Sequence, residues 1–196
     1  MSLEKQKEKR ANILDAAVKV FAKKGFHSAK IGDVAREAGV AHGTVYLYFE
    51  SKDELLVSIF RENLNWLTEY TRSGIQKENN AEDKLRKMIS LQIDLAETNP
   101  DWVSLLLVEF PQTGKFLSKD SIDELASYID MVSSILKEGI AEGIFDDSID
   151  ADIVATLIYA GIQGIATRWV LEEKKYSLKN AANGISEVFL RGIRLQ

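Results

Sequence analysis

The chain has 196 residues, of which 45% are hydrophobic and 28% are charged, so it can build one large domain or two smaller ones and is not disordered throughout. It has no cysteine and two histidines, which excludes a disulfide scaffold, thiol catalysis and Cys-ligated metal sites and leaves too few histidines for a His-based metal cage. We find no run of about 18 apolar residues and no apolar segment at the start of the chain. We therefore expect no membrane span, no secretory signal and a cytoplasmic protein.

Charge is distributed unevenly along the chain. The net charge is −5, yet residues 1–48 carry nine basic and five acidic side chains, a net +4, and the other 148 residues carry 16 and 25, a net −9. This asymmetry favours a nucleic-acid partner for the N-terminal part, with a chance placement of lysines as the alternative.

Apolar residues recur with helical spacing almost everywhere, and strand-type alternation is missing, so the predicted fold class is all-α. Ser51 and Glu54 form a capping box that opens a long helix, and the two prolines, Pro100 and Pro111, fall between periodic segments. The predicted helices span residues 5–24, 31–38, 44–49, 55–72, 82–98, 101–110, 118–142, 150–173 and 178–194.

Residues 31–50 are typical of two short helices joined by a tight turn. Gly39 can adopt the left-handed backbone conformation that such a turn needs, and the small Ala35 lets the second helix cross close to the first. Branched side chains such as Val34 and Val45 are placed to fill the angle between the helices. A helix-turn-helix requires this pattern, although the pattern alone is only moderately specific.

Residues on and around the second short helix give more specific support for a DNA-binding helix-turn-helix. Hydroxyl and imidazole groups can bond phosphate oxygens or base edges, an apolar group can contact a thymine methyl, and a glycine lets the backbone approach closely. Lys52 falls in the first turn of the next helix, where backbone N–H groups favour an anion. Surface or packing roles are the alternatives for each residue. The candidate DNA contacts here are His42, Gly43, Thr44, Tyr46, Leu47 and Tyr48.

On these residues the chain resembles the DNA-binding domain of the TetR family of transcriptional regulators over residues 11–56. The matching runs are Ile13-Leu14-Asp15-Ala16-Ala17, Phe21, Lys24-Gly25-Phe26, Asp33-Val34-Ala35, Ala38-Gly39-Val40, Gly43-Thr44-Val45-Tyr46-Leu47-Tyr48-Phe49 and Ser51-Lys52-Asp53-Glu54-Leu55-Leu56. The resemblance implies a three-helix head, residues 1–50, a connecting helix, residues 51–73, and a helical-bundle domain for effector binding and dimerisation, residues 74–196.

The resemblance also implies where partners bind. Two copies are expected to pair through the last two helices, 150–173 and 178–194. The residues at positions where family members touch DNA are Lys30, His42, Thr44, Tyr46, Leu47, Tyr48 and Lys52.

Three positions depart from the family pattern. Lys30 stands where a threonine usually caps the second helix, so Ser28 caps it instead or Lys30 itself binds phosphate. Gly32 replaces a polar residue that often contacts DNA, and Ala41 replaces the serine that caps the recognition helix. A lost cap costs about 1 kcal/mol, which good packing can offset.

The C-terminal part is rich in aromatic residues on helices, which either form a core or line an apolar effector pocket. Gln163 shares a helix face with Tyr159, and Arg168 either anchors an anionic ligand group or, as we favour, pairs with Glu172 one turn later. The candidate effector contacts are Trp102, Phe110, Tyr128, Tyr159, Gln163 and Arg168.

Two further runs are similar to repressors of fatty-acid degradation genes that respond to long-chain acyl-CoA: Tyr46-Leu47-Tyr48-Phe49, and Trp169-Val170 followed by Lys175-Tyr176-Ser177-Leu178. We therefore expect a ligand-released repressor that binds a palindromic operator as a homodimer and responds to a small apolar or acyl-type effector, with no metal, cofactor or membrane partner. A helical lipid carrier without DNA binding is the alternative. An enzyme is disfavoured because we find no Ser-His-Asp set, metal cluster or phosphate loop.

Overall fold

The computed structural model describes residues 3–114, 118–173 and 177–194. The Lys175-Tyr176 pair named above lies outside the described residues. The all-α prediction is confirmed: within the described ranges the strand-type pairing is a single antiparallel bridge between Phe145 and Arg194. The helices are α1 (Leu3–Lys24), α2 (Ile31–Glu37), α3 (His42–Tyr46), α4 (Lys52–Ile75), α5 (Ala81–Thr98), α6 (Pro100–Val103), a π-helical segment (Ser104–Glu109), α7 (Phe110–Gln112), α8 (Lys119–Ala141), α9 (Ala151–Leu171) and α10 (Lys179–Ile193).

Most predicted helix bounds lie within three residues of the observed ones, and the exception is the helix predicted at 101–110. There the backbone widens into the π-helical segment Ser104–Glu109 before it returns to α7. Pro111, expected between helices, lies in the first turn of α7 instead. A proline has no N–H to donate to the carbonyl four residues earlier, and a neighbouring π turn lets the helix continue past it.

Contacts divide the chain into two compact units. The first, called the head unit here, comprises Met1–Asn63 and Asp101–Ile122, and the second, the body unit, comprises Leu64–Pro100 and Asp123–Gln196. Helix α4 thus contributes to both units. The segment Asp101–Ile122 belongs to the head unit although it lies between two body segments in sequence.

The head unit is built on the buried face of α1. Ile13, Ala17 and Phe21 on that face are fully buried, α1 packs against α2, and α2 packs against α3. The Asn12 side chain donates to the Ala38 carbonyl at 2.8 Å, which fixes the end of α2 on α1. The next residue, Gly39, has φ +66°, as the sequence analysis expected for the turn.

The body unit has an apolar core to which α5 contributes Leu85, Met88 and Ile89, all fully buried. Helix α5 packs against α9 and α10, and its Glu82 pairs with Arg194 beyond the end of α10. The Asp150 side chain caps α9 by accepting the backbone N–H groups of Asp152 and Ile153, the second and third residues of the helix, at 2.9 and 3.1 Å.

Helix α9 is the most apolar helix of the chain's described part. One 18-residue window in Ala151–Leu171 has a mean hydropathy of 1.3 and is 28% buried, so by length and composition this helix meets the criterion for a membrane span. The expectation that no such stretch exists is therefore wrong. A single helix of this kind is weak evidence for a membrane, because a protein–protein face has the same composition. Its exposed apolar residues include Ile153 and Leu157.

Gly139 on α8 provides a test of packing in the body unit. A Cβ atom at this position would lie 2.2 Å from the ring of Phe145, which is 1% exposed, and 3.0 Å from the Cβ of Ala81. We expect Gly139→Ala to lower the free energy of unfolding by about 1–3 kcal/mol, because a buried ring must move. Urea denaturation followed by circular dichroism measures the change.

The matched control is Gly184→Ala on α10, where an added Cβ meets nothing within 4 Å. That change should be neutral or stabilise by up to about 1 kcal/mol through helix propensity. Equal effects of the two substitutions would contradict the packing described here.

Candidate DNA-binding surface and effector site

Helices α2 and α3 pack through a small buried cluster. Val34 and Val45 are fully buried and Phe49 is 2% exposed, so α3 is held by one face only. The backbone N–H of Val40 donates to the carbonyl of Ala35 at 2.9 Å, which closes the turn around Gly39. The opposite face of α3 is exposed.

The first turn of α2 is stabilised without a side-chain cap from Lys30. Asp33 lies in this turn, and its carboxylate accepts the Lys30 backbone N–H at 3.2 Å and pairs with Lys24 at 2.8 Å. The Lys24 ammonium, together with the Lys30 N–H, lowers the pKa of Asp33. Ala41 at the start of α3 likewise makes no side-chain cap. Asp33 thus makes the half of a capping box that accepts the N-cap N–H, while its own N–H donates to the Lys30 backbone carbonyl at 2.9 Å instead of to a threonine hydroxyl.

The predicted recognition residues lie on the outer surface of the head unit. Leu47 is 82% exposed and Tyr46 is 48% exposed, and Thr44 and Tyr48 are half-buried. Gly43 faces open space, since a Cβ there would meet nothing within 4 Å. The exposed surface of α3 and of the two residues after it therefore carries hydroxyl, imidazole and apolar groups side by side.

His42 lies at the exposed start of α3, next to Gly32. The rings of His42 and Tyr46 lie 5.3 Å apart, and a Cβ atom on Gly32 would be 3.6 Å from the His42 Cδ2 atom. Because residue 32 is a glycine, it has no side chain between α2 and the imidazole. The His42 ring therefore lies against that side of α2.

Lys52, also predicted to contact DNA, is placed differently from the α3 residues. Its ammonium donates to the carbonyl oxygens of Phe26, Ala29 and His27 at 2.8, 3.0 and 3.3 Å and lies 4.4 Å from the centroid of the Phe26 ring. An ammonium has three N–H donors, so these three bonds occupy all of them. Lys52 therefore holds the α1–α2 turn, residues 25–30, against the start of α4.

Glu109 holds the same turn from another part of the chain. The backbone N–H of Phe26 donates to the Glu109 carboxylate at 3.0 Å, and this glutamate is the last residue of the π-helical segment. The next residue, Phe110, stacks on Phe60 of α4 with 4.6 Å between ring centroids. Nothing in the local sequence predicts this role of Glu109, because the residue that it contacts lies 83 positions away.

Arg10 also has an internal role. Its guanidinium pairs with Glu62 of α4 and lies 4.9 Å from the centroid of the Phe49 ring. The contacts join α1, α4 and the residue that anchors the end of the recognition region.

Three of the six candidate effector contacts come together in the body unit. Tyr128 of α8 and Tyr159 of α9 have ring centroids 5.6 Å apart, and Gln163 lies one turn beyond Tyr159. Burial raises the pKa of Tyr159 to about 12, and the neighbouring Gln163 amide partly offsets this rise. Burial also raises the pKa of Tyr128, and the amide of Gln92 on α5 partly offsets it. Gln92 was not predicted.

The other three candidates lie elsewhere. Trp102 and Phe110 belong to the head unit, and Phe110 is fully buried against Phe60. Arg168 is exposed and its Nε donates to Glu172 at 2.8 Å, which is the ion pair that the sequence analysis favoured. We name the set Gln92, Tyr128, Tyr159 and Gln163 the polar cluster.

A helix-turn-helix with an exposed recognition surface, followed by a helical body, defines a DNA-binding transcriptional regulator of the all-α class. Comparison with known proteins identifies the family. Residues 13–59 match the family described as "Bacterial regulatory proteins, tetR family", and residues 60–192 match "YsiA-like protein, C-terminal region". The chain belongs to the TetR family of transcriptional regulators.

Individual relatives match along nearly the whole chain. The "Fatty acid metabolism regulator protein" of Bacillus subtilis is 30% identical over 191 residues, which cover 97% of this chain and 98% of that protein. The structure of FadR from Bacillus subtilis in complex with stearoyl-CoA is 31% identical with a TM-score of 0.87, over 94% of this chain and 99% of that one. The fatty acid degradation regulator FadR from Bacillus halodurans is 28% identical with a TM-score of 0.89, over 96% and 97%.

The three bonds of Lys52 can be tested in isolation. We expect Lys52→Met to lower the free energy of unfolding by about 1–3 kcal/mol, because the side chain keeps its length but leaves carbonyl groups without their charged donor. Hydrogen exchange at the amides of residues 25–30 should become faster. Lys19→Met, at an exposed position of α1, is the control and should change neither quantity. Unchanged exchange in the Lys52 variant would contradict its role in the turn.

Proposed function

We propose that the protein is a ligand-released repressor that binds a palindromic operator as a homodimer. The observation that carries the proposal is the outer surface of α3, which is anchored by the buried Val45 while Tyr46 and Leu47 remain exposed. A short helix held in this way can enter a major groove and present its side chains to base edges. Two-fold pairing of two chains then requires two half-sites about one helical turn apart.

The residues of the recognition surface take different roles in this proposal. His42, Thr44 and Leu47 contact base edges, and Gly43 lets the backbone approach the DNA closely. Tyr46, Tyr48 and Lys30 contact phosphate oxygens, which fixes position and supplies affinity. Lys52, which the resemblance to the family places at a DNA-contacting position, supports the complex by holding the α1–α2 turn. The net negative charge outside the first 48 residues repels DNA, so that only the head binds it.

The last two long helices are proposed as the dimer interface. On α9, Ile153 and Leu157 are 59% and 54% exposed, and on α10 Val188 is 73% exposed. Exposed large apolar side chains that lie together on one surface favour burial against another protein. A second copy of the chain fits best, because a two-fold operator requires a two-fold dimer.

The effector is proposed to be a small apolar or acyl-type molecule that enters the body. Support comes from the B. subtilis FadR structure, which contains stearoyl-CoA and covers almost all of this chain. The effector and DNA would then weaken each other's binding by the same factor, as linkage requires. This activity belongs in the cytoplasm, where both ligands are available.

The DNA contacts are tested by the double substitution Thr44→Ala plus Tyr48→Ala. Fluorescence anisotropy with DNA from the protein's own promoter should show affinity at least about tenfold weaker than for the wild type, because each lost contact costs about 1–3 kcal/mol. For the wild type, the logarithm of the affinity should fall linearly with the logarithm of the salt concentration.

Tyr70→Ala provides the matched control, since Tyr70 is an exposed aromatic residue on α4 in the body unit. Its operator affinity should equal that of the wild type. Unchanged affinity in the double variant would contradict the assigned contacts, and absence of wild-type binding would favour the helical carrier instead.

The dimer interface is tested by Leu157→Glu and Val188→Glu. Each should raise the dimer dissociation constant by at least about a hundredfold, because burying an unpaired charge costs about 3–5 kcal/mol. Sedimentation velocity measures the shift to monomer. Ile122→Glu, at a residue that is 50% exposed in the head unit, should leave the dimer intact. Dimers that survive both changes would place the interface elsewhere.

A further inference from the structure

The body unit contains polar atoms that its own core does not satisfy. Among the described residues, the Tyr128 hydroxyl and the Gln92 Nε2 atom are buried without a hydrogen-bond partner. Tyr128 is fully buried and Gln92 is 7% exposed. A buried polar group without a partner costs about 1–3 kcal/mol, and natural cores keep few of them.

The two groups lie next to each other. The Ala81 backbone N–H at the start of α5 donates to Glu142 at 3.0 Å, and Lys84 of α5 pairs with Glu138 of α8, so the two helices run antiparallel. Continuing this register along both helices brings Gln92 opposite Tyr128. The effect of the Gln92 amide on the Tyr128 pKa agrees with this placement, although the two groups do not form a hydrogen bond with each other. Each group has a hydrogen to donate, since Nε2 carries two N–H bonds and the phenol, whose pKa burial raises, keeps its O–H. Two adjacent donors are complementary to one oxygen that has two lone pairs.

The chemistry of the surrounding residues limits what that oxygen can be. Tyr159 and Gln163, the other members of the polar cluster, are also uncharged and half-buried, and they extend the polar surface outward from Tyr128. A carboxylate buried among neutral groups would carry a large desolvation penalty. An uncharged carbonyl oxygen carries a much smaller one and accepts both hydrogen bonds.

We propose that Gln92 and Tyr128 form a carbonyl-binding subsite inside the effector domain, in which the amide N–H and the phenol O–H both donate to one uncharged carbonyl oxygen of the effector. For an acyl thioester, this is the carbonyl that joins the acyl chain to sulfur. The inference rests on the proposed acyl-type effector and names the two side chains that distinguish a carbonyl-bearing ligand from a purely hydrocarbon one.

The test compares two ligands that differ in one oxygen: dodecanoyl-CoA, a thioester, and S-dodecyl-CoA, the thioether without the carbonyl. Isothermal titration calorimetry on the full chain should give a dissociation constant about ten- to a hundredfold higher for the thioether, because each of two hydrogen bonds contributes about three- to tenfold. The preference should fall in Tyr128→Phe and in Gln92→Met and vanish in the double variant.

Folding of these variants is not expected to be impaired, since both substitutions keep shape and remove an unsatisfied polar group. Tyr70→Phe, the same chemical change at an exposed tyrosine of the body unit, should leave the preference at the wild-type value. The control therefore separates the loss of this hydroxyl from the loss of any tyrosine hydroxyl.

The outcomes separate this inference from the proposed function. Tight wild-type binding of both ligands with equal affinity would overturn the carbonyl subsite and leave an acyl-type effector in place. A preference that persists in the double variant would also overturn it, because other groups would then bind the oxygen. Binding of neither ligand would refute the acyl-type effector and the subsite together.

Discussion

The architecture of the DNA-binding head depends on how the backbone of a single residue is held. Phe26 donates its N–H to the Glu109 carboxylate at 3.0 Å, and its carbonyl accepts from the Lys52 ammonium at 2.8 Å. Hydrogen bonds to charged groups are stronger than neutral ones. The α1–α2 turn is therefore fixed by side chains that come from the start of α4 and from the end of the π-helical segment. The direction in which α2 leaves the turn, and with it the position of α3, follows from these bonds.

In the body unit, the stability of the core is balanced against the presence of buried polar groups. Its core is apolar and closely packed around residues such as Leu85 and Ile158, but it also keeps uncharged polar groups from α5 and α8 in its interior. A core selected for stability alone would replace Gln92 and Tyr128 with methionine and phenylalanine. Local departures from the rules of a good core are expected at functional sites, where stability is exchanged for selectivity.

The sequence was sufficient to predict features that depend on a few neighbouring residues. It was insufficient to predict features that depend on contacts between residues far apart in the chain. Helix bounds and the turn at Gly39 follow from periodicity and from one residue's backbone freedom, and the structure agrees with both. The capping box of Ser51 and Glu54 also placed Lys52 at the start of α4, but it could not show that the Lys52 side chain turns toward three carbonyls. Glu109 and Gln92 had no local signal at all, because their roles arise from partners on other helices. The π-helical segment was missed for a related reason, since a widened turn keeps nearly the same apolar spacing as an ordinary one.

The order of the two units along the chain limits where a gene fusion could transfer the head unit of this protein intact. The chain passes between the units three times, because Asp101–Ile122 belongs to the head although it follows α5 of the body. A gene fusion made at the boundary between the two family matches, after residue 59, would transfer a head without Glu109 and without the Phe110 ring that stacks on Phe60. Under the proposed assignment of base contacts to α3, DNA specificity is therefore easier to change by substitutions on the surface of α3 than by exchange of whole N-terminal segments.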